Sequence, residues 1–146
     1  MSTPSALQTL IELATTESDE AAKRLGKAVA LVEDAQQKLA MLEQYRDDYR
    51  SRLDHGMSSG ITASGYRNFQ LFLDKLDDAI KGQQRILDDA RMRVERERES
   101  WQESERKRMS YGTLADRAEK KAQQVQNKRD QKMMDEFATR QAHKNR

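Results

Sequence analysis

Apolar residues recur at alternating spacings of four and three from Leu7 to Leu53. The positions are Leu7, Ile11, Ala14, Ser18, Ala21, Leu25, Ala28, Val32, Ala35, Leu39, Leu42, Arg46, Tyr49 and Leu53. Twelve of these fourteen are apolar when Ala and Tyr are counted, and only Ser18 and Arg46 depart. A stripe that returns about every 3.5 residues needs a partner helix along its whole length, since a short globular helix leaves most of it uncovered. At about 1.5 Å per residue, that helix is roughly 70 Å long.

The stripe ends at Asp54–Gly65, a segment with three Gly and three Ser, the one strong break in the chain. It resumes with the same spacing at Phe69, Leu73, Leu76, Ile80, Gln83, Leu87, Ala90, Val94, Glu97 and Trp101. It weakens at Ser104 and Arg108, then recovers as Tyr111, Ala115, Ala118, Ala122 and Val125. A short break between two long helices predicts an antiparallel hairpin, because parallel packing needs a connection as long as the helices. The expected fold is therefore all-α, a long two-helix coiled coil forming a single domain over 1–146 with the second helix longer than the first. Expected limits are 5–53 for the first helix, 54–65 for the loop, 66–137 for the second helix and 138–146 for a disordered basic tail. Ser5, following Pro4, is the candidate cap of the first helix, and Thr62 or Ser64 of the second.

Setting Leu53 opposite Phe69 tests the register. Tyr49 then faces Leu73, Arg46 faces Leu76, Leu42 faces Ile80, Leu39 faces Gln83 and Ala35 faces Leu87. Farther along, Ala28 meets Val94 and Ala21 meets Trp101, small against large, which fills a layer without voids. Toward the termini the layers become Ser18–Ser104 and Ala14–Arg108, which bury little apolar area. The hairpin is expected to be firm near the loop and looser near the termini. Past Ala115 the second helix has no partner, and a lone helix frays unless another protein covers it.

Composition agrees with narrow buried seams: 36% of residues are charged, 5% aromatic, and one is proline. The net charge is +2, but the segment from Arg117 to Arg146 holds nine Lys or Arg against four Asp or Glu. The first residues lack a basic stretch followed by an apolar run, so no secretory signal is expected, and no segment is long and apolar enough for a membrane span. Without cysteine, thiolate metal sites and disulfides are excluded. His55 and His143 lie far apart, and Gly56–Gly60 is turn chemistry, not a phosphate loop. No catalytic, metal-binding or cofactor-binding residues are expected, and the chain reads as a non-enzyme. The run Arg91–Glu99 interleaves acids with bases and is expected to pair internally as Arg91–Glu95, with Glu103–Lys107 beyond it. Such a face repels phosphate, so nucleic acid is not an expected partner.

A second apolar stripe flanks the seam: Phe72, Ala79 and Ile86 on the second helix, Leu31 and Tyr45 on the first. Five of the aromatics (Tyr45, Tyr49, Tyr66, Phe69, Phe72) gather near the loop. Two helices cannot bury them all, so an exposed aromatic patch is expected there as a partner site.

Across almost its whole length the chain resembles the bacterial flagellar FliJ family. The resemblance is carried by Ala6–Leu10, Gly60–Ile61, Asn68–Phe72 and above all Asp130–Ala138. It implies a component of the flagellar type III protein export apparatus, cytoplasmic and peripheral at the inner membrane through its partners only. Those partners would be the export ATPase hexamer, in whose ring the termini insert like the stalk of a rotary ATPase, the export gate membrane protein, and export chaperones. The gate-contact surface carried over by resemblance is Leu42, Tyr45, Tyr49, Phe72, Leu76 and Ala79, with Lys38 and Gln83 where the family typically has Gln and His. The seam turns Leu42, Tyr49 and Leu76 inward, whereas the resemblance implies that they are reachable, so a local shift or opening of the seam is expected near Arg46, where a charge faces Leu76. The alternatives to this reading are a nucleic-acid-binding or a self-associating structural coiled coil.

Overall fold

The computed structural model describes residues 5–145, so Pro4 and Arg146 lie outside the described residues. The described residues form two helices, α1 (Ser5–Ser59) and α2 (Ala63–Lys144). Each predicted seam position of α1 is buried or half-buried, as is each position of α2 from Phe69 to Ala118. Contacts run antiparallel: Glu17 meets Lys107 at 3.8 Å, Arg24 meets Glu97 at 3.2 Å, and Arg50 meets Asp77 at 4.0 Å. The chain is an all-α antiparallel two-helix coiled coil with the longer helix second.

Contacts divide the chain into two compact units. One is Ala21–Trp101; the other joins the residues up to Glu20 with those from Gln102 onward. The first holds Leu53, Leu73, Leu76, Ile80, Leu87 and Val94, all buried. Each such side chain contributes about 1.5–3 kcal/mol of hydrophobic stabilisation. Among the described residues of the second unit, Ala14 and Ser18 are the buried ones, and they contribute far less.

Alanine occupies one position of four successive heptads of α1. Ala14, Ala21, Ala28 and Ala35 are only 0–3% exposed. Leu42 and Tyr49 continue that position and are half-buried, because one facing helix cannot cover a large side chain from all sides. The seam thus changes character toward the loop, from fully covered small residues to partly covered large ones.

Helix limits differ from those read in the sequence. Instead of stopping at Leu53, α1 continues through His55 and Gly56 to Ser59, since a helical Gly costs only about 1 kcal/mol. Ser58 and Ser59 hydroxyls donate back to the carbonyls of Asp54 and His55. Gly60 then ends the helix with φ +86°, a conformation glycine adopts without strain. The connection is three residues long, and Thr62 caps α2 by accepting the Gly65 N–H at 3.0 Å. Ile61 lies against both flanking glycines: a Cβ on Gly56 would stand 3.6 Å from it and one on Gly65 3.1 Å. Ser5 begins α1 as a helical residue.

At the far end α2 passes the expected limit at 137 and includes most of the segment expected to be disordered. Thr139 bonds back to the Asp135 carbonyl at 2.9 Å, and His143 and Lys144 sit in the last turn, where cations suit the helix dipole. From Glu119 to Asn145 every residue is exposed, including Ala122 and Val125 of the predicted stripe. The reason is length: α1 starts at Ser5 and offers nothing for that part of α2 to pack on.

Candidate functional site

The seam change at Leu42 and Tyr49 opens a groove on one flank of the Ala21–Trp101 unit. It encloses about 330 Å³ and is lined by Tyr45, Asp48, Tyr49 and Arg52 from α1 with Phe72 and Leu76 from α2. Heptad spacing explains the assembly: Tyr45 and Arg52 are seven apart on one face of α1, and Phe72 and Leu76 are one turn apart on α2. Tyr49 is the keystone. Its ring lies 4.3 Å from that of Phe72 and 5.0 Å from that of Phe69, tilted by 38° and 49°. Tilted contacts of this kind add about 0.5–1.5 kcal/mol beyond area burial and hold the rings in place.

Four of the six residues singled out in the sequence line this groove: Tyr45, Tyr49, Phe72 and Leu76. Tyr45 is 57% and Phe72 43% exposed, whereas Leu76, at 9%, forms the floor. Leu42 is half-buried in the seam and Ala79 is exposed one turn beyond, and neither borders the cavity. Asp48 and Arg52 are the additions. Both follow the flanking positions by helical spacing, but alternation of charge with apolar residues gave no cue that they border a cavity. Arg46 stands at a seam position with its side chain largely covered, and turns its guanidinium to Asp47 at 3.3 Å. A long apolar stem with a charged tip can occupy a seam in this way. The Leu76 floor stays covered beside it and is reached through the groove.

The two flanks of this unit differ in chemistry. On the grooved side Leu31, Tyr45, Phe72, Ala79 and Ile86 are all exposed. The other side carries Gln36, Glu43 and Arg50 on α1 with Gln70, Asp77 and Gln84 on α2, and the Arg50–Asp77 pair crosses it. Exposed aromatic residues thus gather on the grooved flank, where Lys38 and Arg52 interrupt the apolar repeat of α1, while Val29 is exposed on the other.

The terminal unit has a polar layer where Ser18 was expected to face Ser104. Ser18 Oγ donates to Glu105, and Arg108 grips the same carboxylate through Nε at 3.3 Å and a terminal nitrogen at 2.8 Å. The Arg108 hydrogen bonds, then that from Ser18, hold the Glu105 carboxyl below the ordinary carboxylate range. The charge run pairs with different partners from those expected: Arg91–Asp88, Arg98–Glu95 and Arg106–Glu103 at i,i+3, while Lys107 reaches across to Glu17. Residues three and four apart are equally adjacent on a helix, so spacing alone does not choose between them.

Beyond the paired region, Met133, Met134 and Phe137 are each more than 65% exposed. Among the described residues no group of His, Asp and Glu is arranged to hold a metal ion, and no helix is long and apolar enough to cross a membrane.

A family model described as "Flagellar FliJ protein" matches residues 3–146. The chain is 37% identical over 137 residues to the flagellar FliJ protein of Salmonella typhi and 36% identical to that of Escherichia coli K12. Each alignment covers 94% of this chain and 93% of the relative.

Proposed function

Since this chain belongs to the flagellar FliJ family, we propose that it is a non-enzymatic component of the flagellar type III export apparatus, a stalk-like coiled coil coupling the export ATPase to the membrane export gate. The observation that carries this reading is the difference between the two units. The Ala21–Trp101 unit offers an aromatic groove on a well-packed scaffold, and the other unit carries a long basic helix whose residues from Glu119 to Asn145 are all exposed.

The terminal end, with its thin layers and the exposed stretch from Glu119 to Asn145, suits insertion into the ATPase ring and promotion of ring assembly. A helix held in a ring contributes no active-site chemistry, but side contacts bias which subunit conformation is populated. The groove, with Leu42 and Ala79 beside it, suits the gate. Export chaperones are the third partner, and membrane association is peripheral, through these partners, at the cytoplasmic face.

Stimulation of the cognate export ATPase by the full chain, compared with a form truncated after Ala118, tests the ring role. Truncation is expected to abolish stimulation while leaving the hairpin folded; equal stimulation by both forms would overturn it. Tyr45→Ala with Phe72→Ala is expected to weaken binding of the gate's cytoplasmic portion with helicity unchanged. A loss of helicity instead would make those residues core rather than contact.

A further inference from the structure

In the terminal unit the first turns of α1 lie along α2 with a thin apolar contact. Among the described residues Ala14 and Ser18 are buried and Leu7 and Ile11 half-buried, while Leu10 is 42% and Leu13 59% exposed. The polar hold is concentrated in three successive residues. Glu17 meets Lys107 at 3.8 Å, Ser18 donates to Glu105, and the Asp19 carboxylate attracts Arg108. Nearer the start, Thr9, Thr15 and Thr16 turn their hydroxyls back to the carbonyls of Ser5, Ile11 and Glu12 in α1 itself. Threonine is a poor helix former, and such back-bonding loosens a helix slightly. The first turn of α1 also lacks an acid to complement the helix dipole.

The face beneath is the seam stripe of α2. Tyr111, Ala115 and Ala118 are half-buried, and the stripe continues as Ala122 and Val125, which are exposed. We propose that α1 up to Glu20 is a releasable cover on this stripe, latched at Glu17–Asp19 and opening as one piece, so that release extends the open stripe back from Ala122 to Tyr111. The inference rests on the reading that the exposed stretch of α2 engages the export ATPase, and it gives the cover control of how much stripe is offered. Contacts group this part of α1 with the residues from Gln102 onward and not with the rest of α1, which sets the limit of the piece that opens. A latch made of solvent-exposed ion pairs and one hydroxyl fixes geometry but adds little net stability, so closed and open forms lie close in free energy. The apparent affinity of the whole stripe for its partner then scales with the fraction of molecules whose cover is open.

Two variants of the full chain, both confined to α1, move the cover in opposite directions while leaving α2 as it is. Glu17→Lys with Asp19→Lys sets like charges against Lys107 and Arg108, and Thr15→Ala with Thr16→Ala strengthens the helix. Amide hydrogen exchange over residues 9–18 is expected to rise about threefold or more in the lysine form and to fall in the alanine form. The change should be by a common factor across that segment, with residues 25–36 unaltered. Added salt should speed exchange there in the unaltered chain and slow it in the lysine form. Exchange that climbs gradually toward Ser5 and ignores both variants would be simple end fraying and would overturn the latch. Affinity for the cognate export ATPase is expected to follow the same order, highest in the lysine form and lowest in the alanine form. The alanine form carries no change of charge, so its weaker binding separates closure of the cover from added charge. Opening without any change in affinity would overturn the cover's control of the stripe, while the ATPase reading still stands on its truncation test. Absence of binding in every form would overturn both.

Discussion

At the scale of single residues, size and charge at seam positions decide what the hairpin does locally. The alanines at 21, 28 and 35 are almost fully covered, so a larger side chain there has no room. Ala28→Leu is expected to cost about 1–3 kcal/mol in urea denaturation, the usual penalty for overpacking. Glu105 makes a pH-dependent contribution. Its folded pKa lies below its unfolded one, held down by Arg108 and Ser18. Its stabilisation is therefore present above the ordinary carboxylate pKa and is lost as pH falls through the lowered value. Glu105→Gln should lower the melting temperature at neutral pH, with the two forms converging as pH falls through the lowered carboxyl pKa. A gap independent of pH would show that the carboxylate contributes nothing through its charge.

The decisive element is the three-residue connection, since every interhelical layer depends on where it places the start of α2. Thr62 supplies an acceptor to the first turn, Gly60 a positive φ, and Ile61 an apolar cover lying against Gly56 and Gly65. Thr62→Ala is expected to cost about 1 kcal/mol, the usual value of a lost N-cap. Gly60→Ala should cost a similar amount, about 1 kcal/mol, because L residues pay for that backbone region. Thermal melts by circular dichroism would measure both. Leu53→Ala, nearby but apolar and buried, should cost more, about 2–5 kcal/mol.

For the whole molecule, uneven burial predicts uneven stability. Five large apolar side chains of α2 are buried, and all lie between Leu73 and Val94. Amide hydrogen exchange should accordingly be slowest around Ile80–Val94, faster in the terminal unit where Ala14 and Ser18 are the buried residues, and fastest from Val125 to Phe137. Uniform protection along α2 would contradict this and mean that the exposed stretch gains its stability elsewhere. The proposed mechanism uses the same gradient: a firm region suits a docking surface, whereas a weakly held helix is free to be ordered by a partner.

Much of this was legible in one dimension. Heptad spacing sets which residues of each helix share a face, and the glycine-serine segment sets where the chain can reverse. The seam, the antiparallel pairing and the unpartnered end of α2 all follow from those two periodic facts. Helix limits did not follow: whether Asp54–Ser59 stays helical is a balance of about 1 kcal/mol settled by local serine bonds and the turn at Gly60. Nor did the hydrogen bond from Ser18 to Glu105, or the cavity rimmed by Asp48 and Arg52. A repeat specifies direction around a helix, but a cavity is the space left between side chains of two helices once they pack. Only the tertiary arrangement determines that space.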